Sequence, residues 1–295
     1  MNKKKEKILK DKFAIITGAS EGLGFEIAKQ FALEGASLFI CSRSKRKLLA
    51  AETRLIEFID QSQSITSMVV DISKTEECNK FYQSAINIHP NIDILVNNAG
   101  VYGPFGAINH LNWDEWVEAF QINLFGSVYM SNLVVPNMKT NKKGKIIQLS
   151  GGGATNPLPF ISAYASSKAA IVRYAETLAG ELVDYNIDVN SIAPGPLNTR
   201  MLNMVLKAGP ENVGQDFYDK STKQKETGGV SLELAAKLAV FLASNRSNGI
   251  TGKLISAVWD DWEVWPDHIN ELNASDIYTL RRISGRDRGK KWGDK

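Results

Sequence analysis

A tyrosine and a lysine four residues apart are the side chains of this sequence best suited to proton chemistry. Tyr164 and Lys168 lie in the stretch SAYASSKAA, which predicts a helix that begins near Ser162. Residues i and i+4 of a helix share one face, one turn apart. A free phenol has a pKa of about 10, and a neighbouring ammonium stabilises the phenolate and lowers that value. The pair therefore predicts a phenol that exchanges a proton with a carbonyl or alcohol oxygen.

A glycine-rich stretch, TGASEGLG at residues 17–24, is the second element with chemical meaning. It follows a predicted strand directly and opens a predicted helix. Gly18 permits the tight turn, Gly22 lets the backbone approach a pyrophosphate, and Gly24 allows close packing of helix on strand. The helix N-terminus offers free N–H groups to phosphate. We interpret the stretch as a dinucleotide site, and the alternative is a glycine-rich turn without a ligand.

The elements that position these residues are short β-branched runs that alternate with amphipathic helices. This alternation predicts an α/β fold with a doubly wound, mostly parallel, seven-stranded Rossmann-like sheet and helices on both faces. We expect one domain over residues 1–258, with a less regular segment at about 197–228 as a substrate lid. Residues 259–295 are expected to be a C-terminal extension and not an independent domain. The predicted strands are residues 13–17, 37–41, 67–70, 93–96, 145–149, 188–193 and 253–258.

Composition limits the classes of function. The 295 residues are 43% hydrophobic and carry a net charge of +3, too small to indicate nucleic acid or an anionic membrane as a partner. No apolar run approaches the roughly 20 residues that cross a bilayer, and residues 1–12 lack the apolar core of a secretory signal. Cys41 and Cys78 fit a reducing compartment, so we expect a cytoplasmic protein. The three histidines are far apart, and no metal site is expected.

Five motifs occur in order along the chain: the glycine loop, NNAG at 97–100, Asn123, Tyr164 with Lys168, and PG at 194–195 followed by Thr199. Together they resemble the short-chain dehydrogenase/reductases of the compact, single-domain type, over residues 9 to 258. The resemblance implies a nicotinamide-dependent oxidoreductase that interconverts a ketone and a secondary alcohol. The nicotinamide cofactor would carry the hydride, and its oxidised ring would further favour the Tyr164 phenolate.

The resemblance also implies roles for individual residues. Tyr164 is the general acid or base, Lys168 also binds the nicotinamide ribose, and Asn123 holds a water that extends the proton path. Asp71 is similar to the residue that binds the adenine amino group. The complete cofactor-binding set expected is Gly18, Ser20, Gly22, Leu23, Gly24, Ser42, Arg43, Asp71, Ile72, Asn98, Ala99, Gly100, Tyr164, Lys168, Pro194, Gly195 and Thr199.

The hydroxyl that donates to the carbonyl oxygen is less simply placed. Members of the family most often carry it thirteen residues before the tyrosine, where this chain has Gly151, and Ser150 is fourteen before. We predict that Ser150 is the catalytic hydroxyl, because a loop absorbs one extra residue at little cost. Two alternatives stay open: Ser150 is structural and the catalytic position is bare, or Thr155 supplies the hydroxyl.

The end of the second strand favours NADP(H) over NAD(H). NAD-type sites carry a carboxylate there, whereas Ser42 and Arg43 in CSRSKRK would bind a 2′-phosphate. Glu21 stands against this preference, since many NADP-type relatives have a basic residue at that position. Arg43 can also be interpreted as a solvated charge at the start of a helix.

Substrate and partners are the least determined features. Trp259, Trp262 and Trp265 indicate either a stacking surface for a carbohydrate-derived substrate or a packed anchor, and packing is the commoner outcome. The basic end of the chain indicates a phosphorylated substrate or a solvated tail. By analogy with the family we expect a homo-oligomer, a dimer or a homotetramer, built on residues 112–137 and the helix of Tyr164. The alternative function is an NAD(P)-binding sensor with impaired catalysis, which Gly151 alone supports.

Overall fold

A computed structural model describes residues 7–292. Expectations for residues 1–6, part of the signal-peptide argument, and for 293–295 lie outside the described residues. The fold is the predicted doubly wound sheet, seven parallel strands in the order β3-β2-β1-β4-β5-β6-β7. The strands are β1 Phe13–Thr17, β2 Ser37–Ser42, β3 Ile65–Val69, β4 Ile94–Asn97, β5 Gly144–Leu149, β6 Ile187–Ala193 and β7 Leu254–Ser256.

Helices connect the strands and cover both faces of the sheet, as predicted. None of them, within residues 7–292, is long and apolar enough to cross a membrane. The helices are α1 Gly22–Leu33, α2 Lys45–Ile56, α3 Thr75–Ile88, α4 Trp113–Phe120, α5 Gly126–Asn141, α6 Ser162–Leu182, α7 Arg200–Ala208, α8 Pro210–Val213, α9 Gln215–Thr227, α10 Leu232–Ala243 and α11 Ile269–Asn273. A π-helical segment, Gln121–Phe125, joins α4 to α5.

The strands are apolar on both sides because each side meets helices. On one face α1 and α10 pack closely over the sheet, around the fully buried Phe31 and Leu38. On the other face α3, α5 and α6 enclose Phe39, whose ring lies 4.5 Å from that of Phe81. Two apolar cores therefore hold the sheet rigid between them, and the carboxyl ends of its strands are fixed relative to one another.

The direction of the chain reverses between β1 and β4. From β1 the chain runs outward through β2 and β3, and it then returns to place β4 on the other side of β1. At such a point the loops after two neighbouring strands diverge, and a crevice opens at their carboxyl ends. The glycine loop follows β1 and the NNAG turn follows β4, so both border this crevice.

The segment at 197–228 corrects one expectation. The sequence pattern indicated an irregular stretch, whereas the structure contains the three helices α7, α8 and α9. Gly209, Gly214 and Gly228 adopt positive φ angles of 77°, 80° and 96°, which end one short helix after another. Side chains of α7 and α9 line the crevice, and Arg200 at the start of α7 contacts Glu21 of the glycine loop at 3.3 Å.

The C-terminal extension lies against the outer side of β7 and against α10. Trp262 is 6% exposed and packs on Phe241 at a ring distance of 5.2 Å. The buried Lys253 ammonium donates to three carbonyl oxygens of the extension, those of Leu272, Ser275 and Ile277, at 2.7, 3.2 and 3.0 Å. The extension is therefore tied to the sheet by both apolar packing and charge-assisted hydrogen bonds.

Candidate active site

A cavity of about 960 Å³ lies at the carboxyl ends of the central strands. Every predicted cofactor-binding residue and Ser150 line it, and Asn123 is the one predicted site residue that does not. The lining residues from the sequence prediction are Gly18, Ser20, Gly22, Leu23, Gly24, Ser42, Arg43, Asp71, Ile72, Asn98, Ala99, Gly100, Ser150, Tyr164, Lys168, Pro194, Gly195 and Thr199. The fold thus brings together residues that are spread over the sequence from position 18 to position 199.

The glycine loop has the close contacts that its glycines predict. Gly18 has a φ of 66°, and a Cβ there would lie 2.7 Å from the Ala99 Cα. A Cβ on Gly24 would lie 2.3 Å from the Asn98 Nδ2 and 2.4 Å from the Gly18 oxygen. The same Asn98 amide donates to the carbonyl oxygens of Thr17 and Gly18, each at 3.0 Å. The turn after β4 therefore supports the loop after β1.

Gly22, in contrast, is open to the cavity. Its φ is 60°, and a Cβ there would meet nothing closer than Thr199, 3.7 Å away at the start of α7. This leaves room for a ligand group against the backbone and the N-terminal end of α1. The cradle fits the diphosphate of a dinucleotide.

Tyr164 and Lys168 lie side by side on α6, as the spacing predicts. The Lys168 Nζ is 5.7 Å from the centre of the Tyr164 ring and donates to the Leu149 carbonyl oxygen at 2.6 Å. A Cβ on Gly100 would lie 3.5 Å from that Nζ. The pair is therefore enclosed between the end of β5 and the turn after β4, facing the cavity.

Burial controls the proton affinities of this pair. Burial raises the pKa of Tyr164, and nearby Tyr102 adds to the increase. Burial lowers the pKa of Lys168 to about 8. The sequence led us to expect a phenol whose pKa the ammonium lowers, but in the protein alone desolvation dominates. Tyr164 is consequently held as the neutral phenol, the form that can donate a proton.

Asn123 lies behind the cavity, in the π-helical segment. Its side chain accepts from the Val101 N–H at 2.8 Å and donates to the Val101 carbonyl at 2.8 Å. It also donates to the Ser167 hydroxyl at 2.9 Å. Insertion of an extra residue in the helical turn is frequent at functional sites, and here it turns the amide onto the loop after β4. Asn123 thus fixes the loop that borders Lys168.

A comparison with known families decides the identity of this arrangement. The family model described as short chain dehydrogenase matches residues 12–208, two thirds of the chain, including the glycine loop and the Tyr164–Lys168 pair. The chain belongs to the short-chain dehydrogenase family. It is therefore an NAD(P)-dependent oxidoreductase.

Individual relatives agree with this assignment. The chain is similar to human "Dehydrogenase/reductase SDR family member 4", with 31% identity over 247 residues, covering 84% of this chain and 86% of the relative. It is also similar to the 3-oxoacyl-acyl-carrier-protein reductase FabG of Chlamydia trachomatis, with 32% identity over 84% of this chain and 96% of the relative. Among solved structures, an NAD⁺-bound xylitol dehydrogenase superposes with a TM-score of 0.75 at 26% identity, covering 84% and 98% of the chains.

A glycine faces the Tyr164 phenol of this short-chain dehydrogenase. A Cβ on Gly151 would lie 2.3 Å from the Tyr164 hydroxyl oxygen. The hydroxyl of the preceding Ser150 is buried and has no hydrogen-bond partner within residues 7–292. Thr155 is exposed and does not line the cavity. Of the two hydroxyls weighed from the sequence, only that of Ser150 borders the site.

The opposite end of the cavity carries several charges. Lys47 and Arg200 both contact the Glu21 carboxylate, at 2.8 and 3.3 Å, and Arg43 contacts Glu118 at 3.5 Å. The Ser42 hydroxyl is buried without a partner among the described residues. Glu21, which counted against NADP(H) in the sequence, is neutralised here by two cations from α2 and α7.

Several lining residues escaped the sequence prediction of the site, and three of them bear on its chemistry. Tyr102 follows the NNAG turn, and its ring lies 4.7 Å from that of Tyr164. Lys47 is within the run SRSKRK, where the sequence does not show which of the basic residues faces the cavity. The sequence spacing groups Trp259 with Trp262 and Trp265, but Trp259 is 74% exposed and lines the cavity, whereas the other two are buried. Among residues 7–292 no cluster of metal-ligating side chains occurs.

Proposed function

We propose that this enzyme interconverts a ketone and a secondary alcohol with NADP(H). The observation that carries the proposal is the buried Tyr164–Lys168 pair beside the carboxyl ends of β4 and β5, in the cavity that the glycine loop borders. A bound nicotinamide dinucleotide supplies the hydride, and the protein must then supply one proton and fix the carbonyl. Side chains of this protein would carry out the proton transfer and hold the carbonyl oxygen.

Tyr164 is the proton donor for ketone reduction. Burial raises its pKa, so the resting enzyme holds the proton on the phenol. Lys168, whose pKa is lowered to about 8, is the neighbouring group that can restore the proton. In alcohol oxidation the same groups act in reverse. Asn123 holds the loop after β4 through its two hydrogen bonds to Val101. From its position behind the cavity it would also bind the water that extends the proton path.

Ser150 is the proposed donor to the carbonyl oxygen. A buried hydroxyl without a partner costs about 1–3 kcal/mol, and such groups are rare unless a ligand satisfies them. Ser150 borders the cavity next to Gly151, which faces the Tyr164 hydroxyl. Its donation to the developing alkoxide would satisfy the orphaned hydroxyl.

NADP(H) is proposed as the cofactor because cations and hydroxyls surround the end of β2. Ser42, Arg43 and Lys47 line the cavity there, and of the two acids in the described lining, Glu21 and Asp71, Glu21 is paired with Lys47 and Arg200. A 2′-phosphate would bind these groups through charge-assisted hydrogen bonds. The similar structures include one with NAD⁺ and one, an actinorhodin polyketide ketoreductase, with NADPH.

The proposed substrate is a carbohydrate-derived ketone or polyol. The exposed Trp259 at the cavity offers an apolar ring on which a sugar ring can stack. The similarity to a xylitol dehydrogenase supports this class, and the similarity to a 3-oxoacyl reductase supports a 3-oxoacyl compound as the second candidate. Both classes present a carbonyl or secondary alcohol, so the proton chemistry is the same.

We further propose a homo-oligomer in a reducing cytoplasm. Trp113 and Phe125, at the two ends of the α4 and π-helical segment, are 67% and 56% exposed. Both described cysteines are buried free thiols, as a reducing compartment permits.

Turnover of a small panel tests the proposed function. The purified enzyme is mixed with NADPH and either ethyl acetoacetate or cyclohexanone, and with NADP⁺ and xylitol. We expect turnover of at least one compound, at least about 1,000-fold slower in Tyr164→Phe, and a slowing of about 100-fold in Ser150→Ala. Thr155→Ala is the control for the serine and should keep the parent rate. NADPH binding without turnover of any compound would reject catalysis and support the sensor alternative.

A further inference from the structure

A second phenol stands beside the catalytic one. The ring of Tyr102 lies 4.7 Å from the ring of Tyr164, tilted by 59°, and 5.4 Å from that of Phe105. Tyr102 is half-buried and lines the cavity. Its hydroxyl makes no hydrogen bond to the residues at 7–292, so its proton is available to a ligand in the cavity. The two phenols interact closely enough that Tyr102 helps to raise the pKa of Tyr164.

The position nearest the Tyr164 hydroxyl carries no side chain that could donate a hydrogen bond to the substrate. That position is Gly151, on which a Cβ would lie 2.3 Å from the Tyr164 hydroxyl oxygen. Its backbone is extended, with φ −178°, so the conformation itself would admit any residue. Because the Tyr164 hydroxyl leaves no room for a side chain at this position, a donor to the substrate oxygen has to come from elsewhere in the chain.

The loop that carries Tyr102 is held from both ends. On one side, Val101 exchanges two hydrogen bonds with the Asn123 side chain, each at 2.8 Å. On the other, Gly103 has a φ of 74°, and a Cβ there would lie 2.8 Å from Ala119 and 3.2 Å from Ala163. This glycine lets the backbone approach α4 and α6 directly, which fixes the start of the Tyr102 side chain. A group on a rigid support is suited to hold a substrate atom.

The two phenols have environments that suit different tasks. Burial alone raises the pKa of Tyr102 to about 12, and no cation of the described chain counteracts it. Tyr102 therefore keeps its proton across the physiological range, whereas Tyr164 shares its surroundings with the Lys168 amine. A hydroxyl that stays protonated in an enclosed site is a donor and not an acid in the reaction.

From these observations we propose that Tyr102 is a catalytic residue that donates a hydrogen bond to the substrate oxygen on which Tyr164 acts. The proposal rests on the ketone–alcohol function proposed above. During ketone reduction the substrate oxygen gains negative charge, and a fixed donor stabilises that charge more than it stabilises the ketone. The Tyr102 proton stays on Tyr102 throughout, and the transferred proton comes from Tyr164. Ser150 and Tyr102 would then approach the oxygen from different parts of the cavity wall.

The test is Tyr102→Phe, which keeps the ring and removes only the hydroxyl. We expect kcat with ethyl acetoacetate and NADPH to fall about 10- to 100-fold, with an unchanged NADPH affinity and melting temperature. The pH profile of kcat should keep its shape, because Tyr102 does not transfer the proton. The matched control is Tyr174→Phe, on the same helix as Tyr164 but outside the cavity lining, which should keep the parent kcat.

A binding measurement gives a second readout that needs no turnover. The probe is 4-nitrophenolate, an oxyanion whose absorbance changes when donors surround it, titrated into the enzyme with NADP⁺. We expect Tyr102→Phe to weaken its binding about 10-fold, and Tyr174→Phe to leave it unchanged. If Tyr102→Phe keeps both kcat and 4-nitrophenolate affinity within roughly twofold of the parent while Tyr164→Phe is inactive, the proposal for Tyr102 is overturned and the proposed function stands. Equal rates for parent and Tyr164→Phe would instead overturn the proposed function.

Discussion

Burial acts in opposite directions on the two central residues of the site. It raises the pKa of the Tyr164 phenol and lowers the pKa of the Lys168 ammonium to about 8, so it favours the neutral form of each. The protein alone thus prepares a protonated phenol beside an amine that gains or loses its proton near neutral pH. A positive charge brought to the cavity by an oxidised cofactor would favour the phenolate, which links proton transfer to the state of the cofactor.

Arg43 lines the cavity at the end of β2, where the cofactor's 2′-phosphate is proposed to bind. In Arg43→Leu the affinity for NADPH should fall about 10- to 100-fold, because the guanidinium is the proposed partner of the 2′-phosphate. The affinity for NADH, which lacks that phosphate, should change little. Fluorescence titration with each nucleotide measures both.

Arg46→Leu is the control for this experiment, since Arg46 is a neighbouring exposed cation on α2 that does not line the cavity. An equal loss for NADH and NADPH in Arg43→Leu would contradict a role in reading the 2′-phosphate. No loss for either would show that Arg43 acts only as the partner of Glu118.

Single residues also show where sequence reasoning reached its limit. The type and spacing of Tyr164 and Lys168 determine that they share a helix face, so their placement followed from the helical repeat. The roles of Ser150 and Gly151 depend on the path of a loop. A loop has no repeating residue pattern from which its path could be predicted. Tyr102 was missed for a related reason: its neighbour in space, Tyr164, is 62 residues away in the chain.

Helix α6 carries a buried lysine, Lys168, which is only 5% exposed, so its charged form is costly in the folded protein. Its pKa is lowered from 10.5 in the unfolded chain to about 8 in the folded protein. Between these values the unfolded state binds more protons, so the stability contributed through this residue rises with pH. Below about pH 8 both states are protonated, and the full cost of burying the charge applies.

Lys168→Met tests this effect, since it fills a similar volume and cannot be charged. The free energy of unfolding of the parent, minus that of the variant, should rise by about 3 kcal/mol as the pH increases from 8 to 10.5. Urea denaturation of both proteins at a series of pH values measures the difference. A difference that stays constant with pH would show that the Lys168 pKa is not lowered.

The strands were predicted closely and the helices of 197–228 were not. Residues 145–149 and 188–193 were expected as strands, and the structure has Gly144–Leu149 and Ile187–Ala193. Buried parallel strands produce continuous apolar runs that are easy to recognise. In contrast, α8 has four residues and α7 nine. Glycines divide this stretch before a helical repeat can become apparent.

For the whole molecule, the outer edge of β7 is occupied by the chain itself. The Leu254 N–H donates to the Tyr278 carbonyl at 2.8 Å, and the Ser256 N–H donates to the Asp260 carboxylate at 2.7 Å. An edge strand whose N–H donors are already paired is less able to form hydrogen bonds with a strand of another subunit. Assembly is therefore expected through helices, and the aromatic side chains of the α4 and π-helical segment are the exposed apolar group there.

We accordingly predict that the double variant Trp113→Ser, Phe125→Ser lowers the mass of the proposed oligomer in solution. Both side chains are more than half exposed in the single chain, so their replacement should not destabilise the fold by more than about 0.5 kcal/mol. Sedimentation velocity measures the mass. Trp292→Ser, which removes an exposed tryptophan of the extension, is the control and should leave the oligomer intact. An oligomer of unchanged mass in the double variant would exclude this surface.

In the proposed reaction the enzyme moves a hydride to a carbonyl carbon while Tyr164 delivers the proton. The most direct measurement uses NADPH deuterated at the transferable position of the nicotinamide ring, with ethyl acetoacetate as the ketone, and mass spectrometry of the alcohol formed. We expect one deuterium on the carbinol carbon with the parent enzyme and no alcohol above background with Tyr164→Phe. Alcohol without deuterium, or equal deuterium incorporation by the two proteins, would contradict it.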